Sequence, residues 1–248
     1  MTDALDRDGF LVVPGVLEEP VTRGLIDAIQ ALVAGESAST LDRGGSVYGG
    51  RHLLGEVPLV REVAGSAAVR DLVEPVLGEG AFAVRGLYFD KSAGANWMVP
   101  WHQDLTIAVA GRREVPGYRA WTRKAGVDHV QPPTSVLEGM LTVRLHLDDC
   151  GPERGPLRVV PGSHRGGRWE PSAVRDWLTR VPARACHVSR GGAILMRPLL
   201  LHASSPAEVP SHRRVVHLEF AAEPLPGGLE WFETVFFSRR ATCQDSTP

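Results

Sequence analysis

From about residue 80 onward the chain is a succession of short β-prone runs cut by glycine and proline, and this pattern limits its fold more than any other. Residues 81–88, 97–109, 141–148, 156–161, 183–188, 193–196, 199–204 and 213–220 each read as strands. The first third reads differently. A short helical turn leads into a strand at residues 10–13, and Pro20 then opens a helix carrying Val21, Leu25, Ile26, Ile29, Leu32 and Val33 at helical spacing up to Gly35. Two more short helices are predicted at 60–64 and 67–77, and another at 172–181. The glycines and serines of 36–56 predict an irregular loop. Helices first and many short strands after them imply an α+β, mainly β chain. The expected architecture is a double-stranded β-helix, jelly-roll or cupin-like, flanked by N-terminal helices in a single domain over residues 1–248. Residues 110–138 hold Pro132-Pro133 and little periodicity, so they are expected to form a structureless, lid-like insertion.

Within the strand predicted at 97–109, Trp97-Met98-Val99-Pro100-Trp101-His102-Gln103-Asp104, alternation sends His102 and Asp104 to one side and Gln103 to the other. An imidazole and a carboxylate on one wall are two parts of a 2-His-1-carboxylate site for non-haem Fe(II). A second His-x-Asp, His146/Asp148, lies on the run at 141–148. Asp148 runs directly into Asp149-Cys150-Gly151-Pro152, where a carboxylate commonly bonds turn amides. Asp104 sits among Leu105, Ile107 and Val109, where a carboxylate is costly unless paired or metal-bound, and this favours the first pair. A third ligand is expected from a facing wall much later in the chain. His202, after Leu199-Leu200-Leu201, is the best placed, ahead of His129, His164 and His187.

An oxygenase that consumes 2-oxoglutarate also needs a cation for the distal carboxylate of that co-substrate, and arginine suits it best. Arg213 and Arg214 open the next strand and must point to opposite faces. Arg213 shares its face with Val215, His217 and Glu219, whereas Arg214 shares one with Val216, Leu218 and Phe220. Parity slightly favours Arg213 for a polar cavity.

Bulk composition narrows the setting. The net charge of −2 gives no basic field for nucleic acid or membrane phosphate. The longest apolar runs are too short to span a bilayer, and the first residues lack the basic start and apolar core of a signal peptide. Cys150, Cys186 and Cys243 form no CxxC, which argues against a disulfide frame or a zinc knuckle. A cytoplasmic protein with a small-molecule substrate is expected, and no nucleic-acid or membrane partner.

Several of these pieces together are similar to one family. Asn96-Trp97 with Pro100-Trp101-His102-Gln103-Asp104-Leu105, then Gly155-Pro156-Leu157-Arg158-Val159-Val160-Pro161-Gly162-Ser163-His164, then His202-Ala203-Ser204 and Arg213, resemble the phytanoyl-CoA dioxygenase family. The start, Asp8-Gly9-Phe10-Leu11-Val12-Val13-Pro14-Gly15, also looks like that family's N-terminus. The resemblance implies a double-stranded β-helix that uses Fe(II), 2-oxoglutarate and O₂. It also implies that His102, Asp104 and His202 are iron ligands and that Arg213, eleven residues after His202, anchors 2-oxoglutarate. By the same resemblance Ser204 and Leu87 contact the co-substrate, and the Gly155–His164 motif is structural. Arg144 stands where many members place an aromatic residue. Asp104 occupies the position that related halogenases give to a small residue, so hydroxylation or a related oxidation is implied.

For the substrate, Arg144, His146, Trp97 and Trp121 are candidate contacts. The insertion carries Arg112, Arg113, Arg119, Arg123 and Lys124 around Tyr118 and Trp121, so an anionic substrate beneath it is one expectation and a solvated basic loop the other. Because one fold hosts many chemistries, a metal-dependent epimerase or isomerase, or a binding protein without turnover, stays open as the alternative.

Overall fold

A computed structural model describes residues 1–35, 39–43 and 45–238, so Cys243 and Gly44 lie outside the described residues. Helix α1 (Thr2–Asp8) leads into strand β1 (Phe10–Val13), and α2 (Glu19–Ala34) takes Pro20 in its first turn, where the missing amide costs nothing. The stretch expected to be irregular instead holds a hairpin, β2 (Thr40–Arg43) and β3 (Ser46–Gly50), followed by α3 (Leu53–Glu56). Two of its glycines, Gly49 and Gly50, belong to β3, and a Cβ on Gly49 would lie 2.7 Å from the Tyr88 carbonyl oxygen. Helices α4 (Pro58–Ala64) and α5 (Ala67–Leu77) follow, the latter capped by the Ser66 hydroxyl, which accepts from the Val69 amide at 3.4 Å.

Strand β4 (Phe82–Asp90) opens the β region. The single strand expected at 97–109 is two strands, β5 (Val99–His102) and β6 (Ile107–Val109), separated by a break that contains Asp104. The insertion is also not structureless. It folds as a hairpin, β7 (Arg119–Lys124) and β8 (Val127–Gln131), and ends in α6 (Thr134–Glu138). The turn between the two strands, Ala125-Gly126, has φ of +47° and +79°. Two positive φ values give the right-twisted two-residue connection that β-hairpins favour, although alanine rarely takes the first position. The remaining elements are β9 (Leu141–His146), β10 (Leu157–Val159), α7 (Pro171–Arg180), β11 (Arg184–Cys186), β12 (Ala193–Met196), β13 (His202–Ser204), β14 (Arg214–Ala221) and β15 (Val235–Phe236).

The strands form a larger sheet in the order β1-β12-β9-β14-β4-β3-β2, with β15 on β4, and a smaller sheet β11-β10-β13-β5. A third sheet, β6-β8-β7, is built largely from the insertion. All pairings are antiparallel, in keeping with the expected jelly-roll. Strict alternation on β9 and β14 divides the larger sheet's two faces. Val143, Leu145, Val216, Leu218 and Phe220 pack against Leu25, Ile29, Leu53, Val60 and Val73 of the helical layer. Thr142, Arg144, His146, His217 and Glu219 are also buried, but on the other face. That face is apolar where Ile194 and Met196 meet Leu157, Val159 and Leu200, and polar beside Arg144. Leu145 is fully buried at the centre of the helix–sheet layer, so Leu145→Ala should destabilise the fold by about 3 kcal/mol, with an unchanged denaturant slope in urea unfolding.

Candidate metal centre

His102 ends β5 and His202 begins β13, and the antiparallel register sets the two residues directly opposite one another. The third-ligand candidate therefore stands on the neighbouring strand of the same sheet, not on a facing wall. The two rings are 4.1 Å apart between centroids. Asp104 lies just past β5, where its amide donates to the Pro198 carbonyl at 2.9 Å. Gln103 tightens the same break. Its Nε2 donates to the Leu199 and Gly167 carbonyls at 2.6 and 2.7 Å, and its Oε1 accepts from the Trp169 amide at 2.8 Å. The side chain that alternation turns away from the ligands is thus the clamp that fixes its neighbours.

Donor atoms of His102, Asp104 and His202 all lie within 4.8 Å of one another. What the far nitrogen of each ring touches decides what they can hold. His102 Nδ1 contacts the Pro100 carbonyl and His202 Nδ1 the Leu200 carbonyl, each at 2.8 Å. A carbonyl oxygen only accepts, so each Nδ1 carries a proton, and each ring in its neutral form turns an Nε2 lone pair inward. Those Nε2 atoms face the Asp104 oxygens at 3.8 and 3.7 Å, and Asp104 Oδ2 is buried without a hydrogen-bond partner. Lone pairs converging on a carboxylate repel unless a cation sits between them. Burial pushes His202 down to about 4 despite the opposing Asp104, so at neutral pH that cation is not a proton on this ring. Burial works against ionisation of Asp104, but Arg85 and the charge that the His202, His217 and His102 rings carry when protonated outweigh it and hold the carboxyl below its usual range. Neutral imidazoles and an ionised carboxylate are the protonation states a divalent metal requires. The donor set fits one.

These residues line a cavity of about 270 Å³ whose wall also includes Leu87, Trp97, Arg144, Ser204 and Arg213. Arg213 is 3% exposed. Its Nη1 donates to the Gly155 carbonyl at 3.1 Å, its Nε has no partner, and no carboxylate among the described residues lies within 4 Å of it. The conformation of Gly155 is specific: φ is +60°, and a Cβ there would sit 2.5 Å from the Ser205 carbonyl oxygen. The motif expected to be structural therefore also supports this guanidinium. Ser204 Oγ accepts from Lys91 Nζ at 2.9 Å, which leaves its own proton free to donate into the cavity. Lys91 is fully buried and also donates to the Ser205 carbonyl; burial and then Arg213 push it down to about 7. Sequence reading missed it, because a lysine at a strand end ordinarily reads as solvated.

Other expected residues separate clearly. Asp148 accepts from Arg214 Nε and Nη2 at 2.8 and 2.7 Å and from its amide at 2.8 Å, which accounts for both members of the rival pairs. His146 is buried on β9 without a partner for either ring nitrogen, and it does not line the cavity. Trp97 does line it and meets Tyr48 edge-on at 4.8 Å. Trp121 does not: it packs on the cluster formed by Ile107, Val130 and Leu137, with Arg112 over its ring. Arg112 is paired with Glu114, Arg113 donates to the Gly228 carbonyl and Arg123 to that of Gly126, all near the surface. Arg85, His217 and Glu219 are further polar residues of the cavity. The last two share the inward parity of Arg213, a signal that was legible in the sequence.

Proteins of known structure share this fold. The family model described as phytanoyl-CoA dioxygenase matches residues 5–215. An L-proline trans-4-hydroxylase from Streptomyces griseoviridis is 26% identical over 229 residues, covering 80% of this chain and 77% of the relative. The crystal structure of EctD from S. alaskensis with 2-oxoglutarate and 5-hydroxyectoine superposes with a TM-score of 0.71 at 20% identity, over 96% of this chain and 82% of EctD. The epimerase SnoN in complex with Fe3+, alpha ketoglutarate and nogalamycin RO superposes with a TM-score of 0.67 at 17% identity, over 97% and 94% of the two chains. Among the described residues, no helix is long and apolar enough to cross a membrane.

Proposed function

The chain belongs to the phytanoyl-CoA dioxygenase family, and from that premise we propose that it hydroxylates a small molecule, with His102, Asp104 and His202 holding Fe(II) and Arg213 anchoring 2-oxoglutarate. The observation that carries this reading is one cavity lined both by three convergent donor atoms and by a buried arginine with no carboxylate within 4 Å among the described residues. Bound there, Fe(II) and 2-oxoglutarate with O₂ supply the oxidising chemistry, the keto acid leaving as succinate and CO₂.

The chain's own residues do the rest. The Pro100 and Leu200 carbonyls fix which nitrogen of each ring faces the metal position. Arg213 and Ser204 offer charge-assisted and neutral donors to the distal carboxylate, which fixes the keto-acid end by its length from that anchor. Leu87, Phe89, Val99 and Leu157 give the cavity apolar walls that exclude water around the reacting groups. Hydroxylation is favoured by Asp104, whose carboxylate fills the position halogenases leave open, and by the proline hydroxylase relative.

The epimerase reading is supported by the likeness to SnoN. A two-part experiment decides. Succinate release by the purified enzyme should require both Fe(II) and 2-oxoglutarate, and loss of that requirement would overturn the proposed function. Turnover of a converted substrate under ¹⁸O₂ should place label in the product; an unlabelled, epimerised product would establish the second reading.

A further inference from the structure

Arg213 is not the only buried arginine in the cavity without an anion. Arg144, on β9, is 7% exposed and lines the same wall, and no carboxylate among the described residues lies within 4 Å of its guanidinium. Its Nε has no hydrogen-bond partner. The one bond it makes is to a neutral acceptor: Nη1 contacts His217 Nδ1 at 2.8 Å. A guanidinium can only donate, so His217 Nδ1 must be unprotonated and the ring proton sits on Nε2. That Nε2 faces Glu219 Oε1 at 3.3 Å, and Glu219 Oε2 faces Arg85 Nη1 at 3.4 Å, which also donates to the Thr106 carbonyl at 2.8 Å.

Cross-strand register builds this chain. His217 stands directly opposite Arg144 on one side of β14, and Glu219 opposite Arg85 on the other. Glu219 is therefore spent on Arg85, and the ring interposed between Glu219 and Arg144 carries no charge. The relay orients Arg144 and leaves it without a carboxylate in contact, Asp104 and the Cys186 and Cys150 sulfurs acting on it only from farther off. Phe89, 5.9 Å from the guanidinium carbon, supports it from one side. A buried charge left this way is costly unless a ligand completes it.

Two unpaired guanidiniums on one cavity wall match a ligand with two anionic groups. Resting on the function proposed above, we propose that Arg144 is a second anchor for 2-oxoglutarate, taking the carboxylate of its keto-acid end while Arg213 takes the distal one. Asp104 is among the charges that act on Arg144, and Arg144 among those that act on His202, whereas Arg213 bonds the Gly155 carbonyl and is acted on chiefly by Cys150 and Asp90.

The test is binding, not turnover. Dissociation constants for 2-oxoglutarate and for 2-oxobutanoate, which has the same keto-acid end and no distal carboxylate, are measured calorimetrically on the Mn(II)-loaded enzyme. Arg144→Gln should weaken both ligands equally, by roughly tenfold or more, and Arg144→Lys should recover part of the loss. Arg213→Gln should weaken 2-oxoglutarate alone. Partial recovery by lysine, which restores the charge but not the arginine's shape, is a signature that general structural damage would not produce, and apo-enzyme melting temperatures check that each variant folds. Constants unchanged within about twofold in both Arg144 variants would overturn the inference while leaving the proposed function intact. So would weakening confined to 2-oxoglutarate, since that would place Arg144 at the distal end. Failure of the wild type to bind either keto acid would sink the proposed function and this inference together.

Discussion

His202→Ala is expected to abolish metal-dependent activity and to lower metal affinity by more than the roughly 100-fold that a lost outer-shell partner costs. His202 is 3% exposed, its Nδ1–H is committed to the Leu200 carbonyl, and its Nε2 is one of three donors around a single point. Alanine removes the donor and leaves His102 and Asp104, too few to hold the ion in one geometry. The fold should survive. What is lost structurally is one hydrogen bond, about 1 kcal/mol, and a small void at the end of a short strand. Anaerobic Co(II) titration, followed by absorbance, separates these effects when paired with circular dichroism. His146→Ala is the informative companion, because His146 is equally buried and belongs to the rival His-x-Asp pair. Its metal affinity should stay within about twofold of wild type. A variant lacking His202 that still binds metal at full strength, or a His146 variant that does not, would move the centre.

Arg213→Gln should raise the dissociation constant for 2-oxoglutarate by roughly 100-fold or more, because truncating one partner of a buried charge pair costs about 2–5 kcal/mol and each 1.4 kcal/mol is tenfold. The enzyme saturated with co-substrate should keep much of its kcat, since the role proposed for Arg213 is at the far end of that molecule. The apo-protein gives a second readout of opposite sign. Burial pushes the Arg213 guanidinium below its usual range, with the Cys150 sulfur and then Asp90 opposing, and no carboxylate within 4 Å pairs with it among the described residues. Neutral glutamine removes that uncompensated charge, so apo stability in urea should be unchanged or higher even as binding collapses. An arginine that merely held the fold together would lose stability along with affinity. That result would refute the anchor role.

How far the residues alone led depended on whether a signal was local. The jelly-roll class, the helix opened by Pro20 and most strand positions were legible because hydrophobic periodicity is written along the chain. His102, Asp104, His202 and Arg213 were legible for a related reason: charge or imidazole inside an apolar run is costly, so it stands out. The errors have equally specific causes. Residues 36–56 read as loop because their glycines looked like turn residues, when Gly49 is there to let β3 approach Tyr88. Residues 110–138 read as structureless because their turn places Ala125 at positive φ, where asparagine or glycine would have announced a hairpin. The same misreading made Trp121 a substrate contact, whereas the hairpin turns it onto an apolar cluster.

The order of residues along the chain therefore carries the inventory: which side chains are costly to bury without a partner, and which segments hold them. Only the tertiary structure decided the partners. It gave Asp148 to Arg214 and left Arg213 without an anion, brought His202 beside His102 within one sheet, and set a neutral His217 between Arg144 and Glu219. Periodicity assigns a side chain to a face, but its charge is compensated only by what lies across from it, and strand register sets that between residues dozens of positions apart.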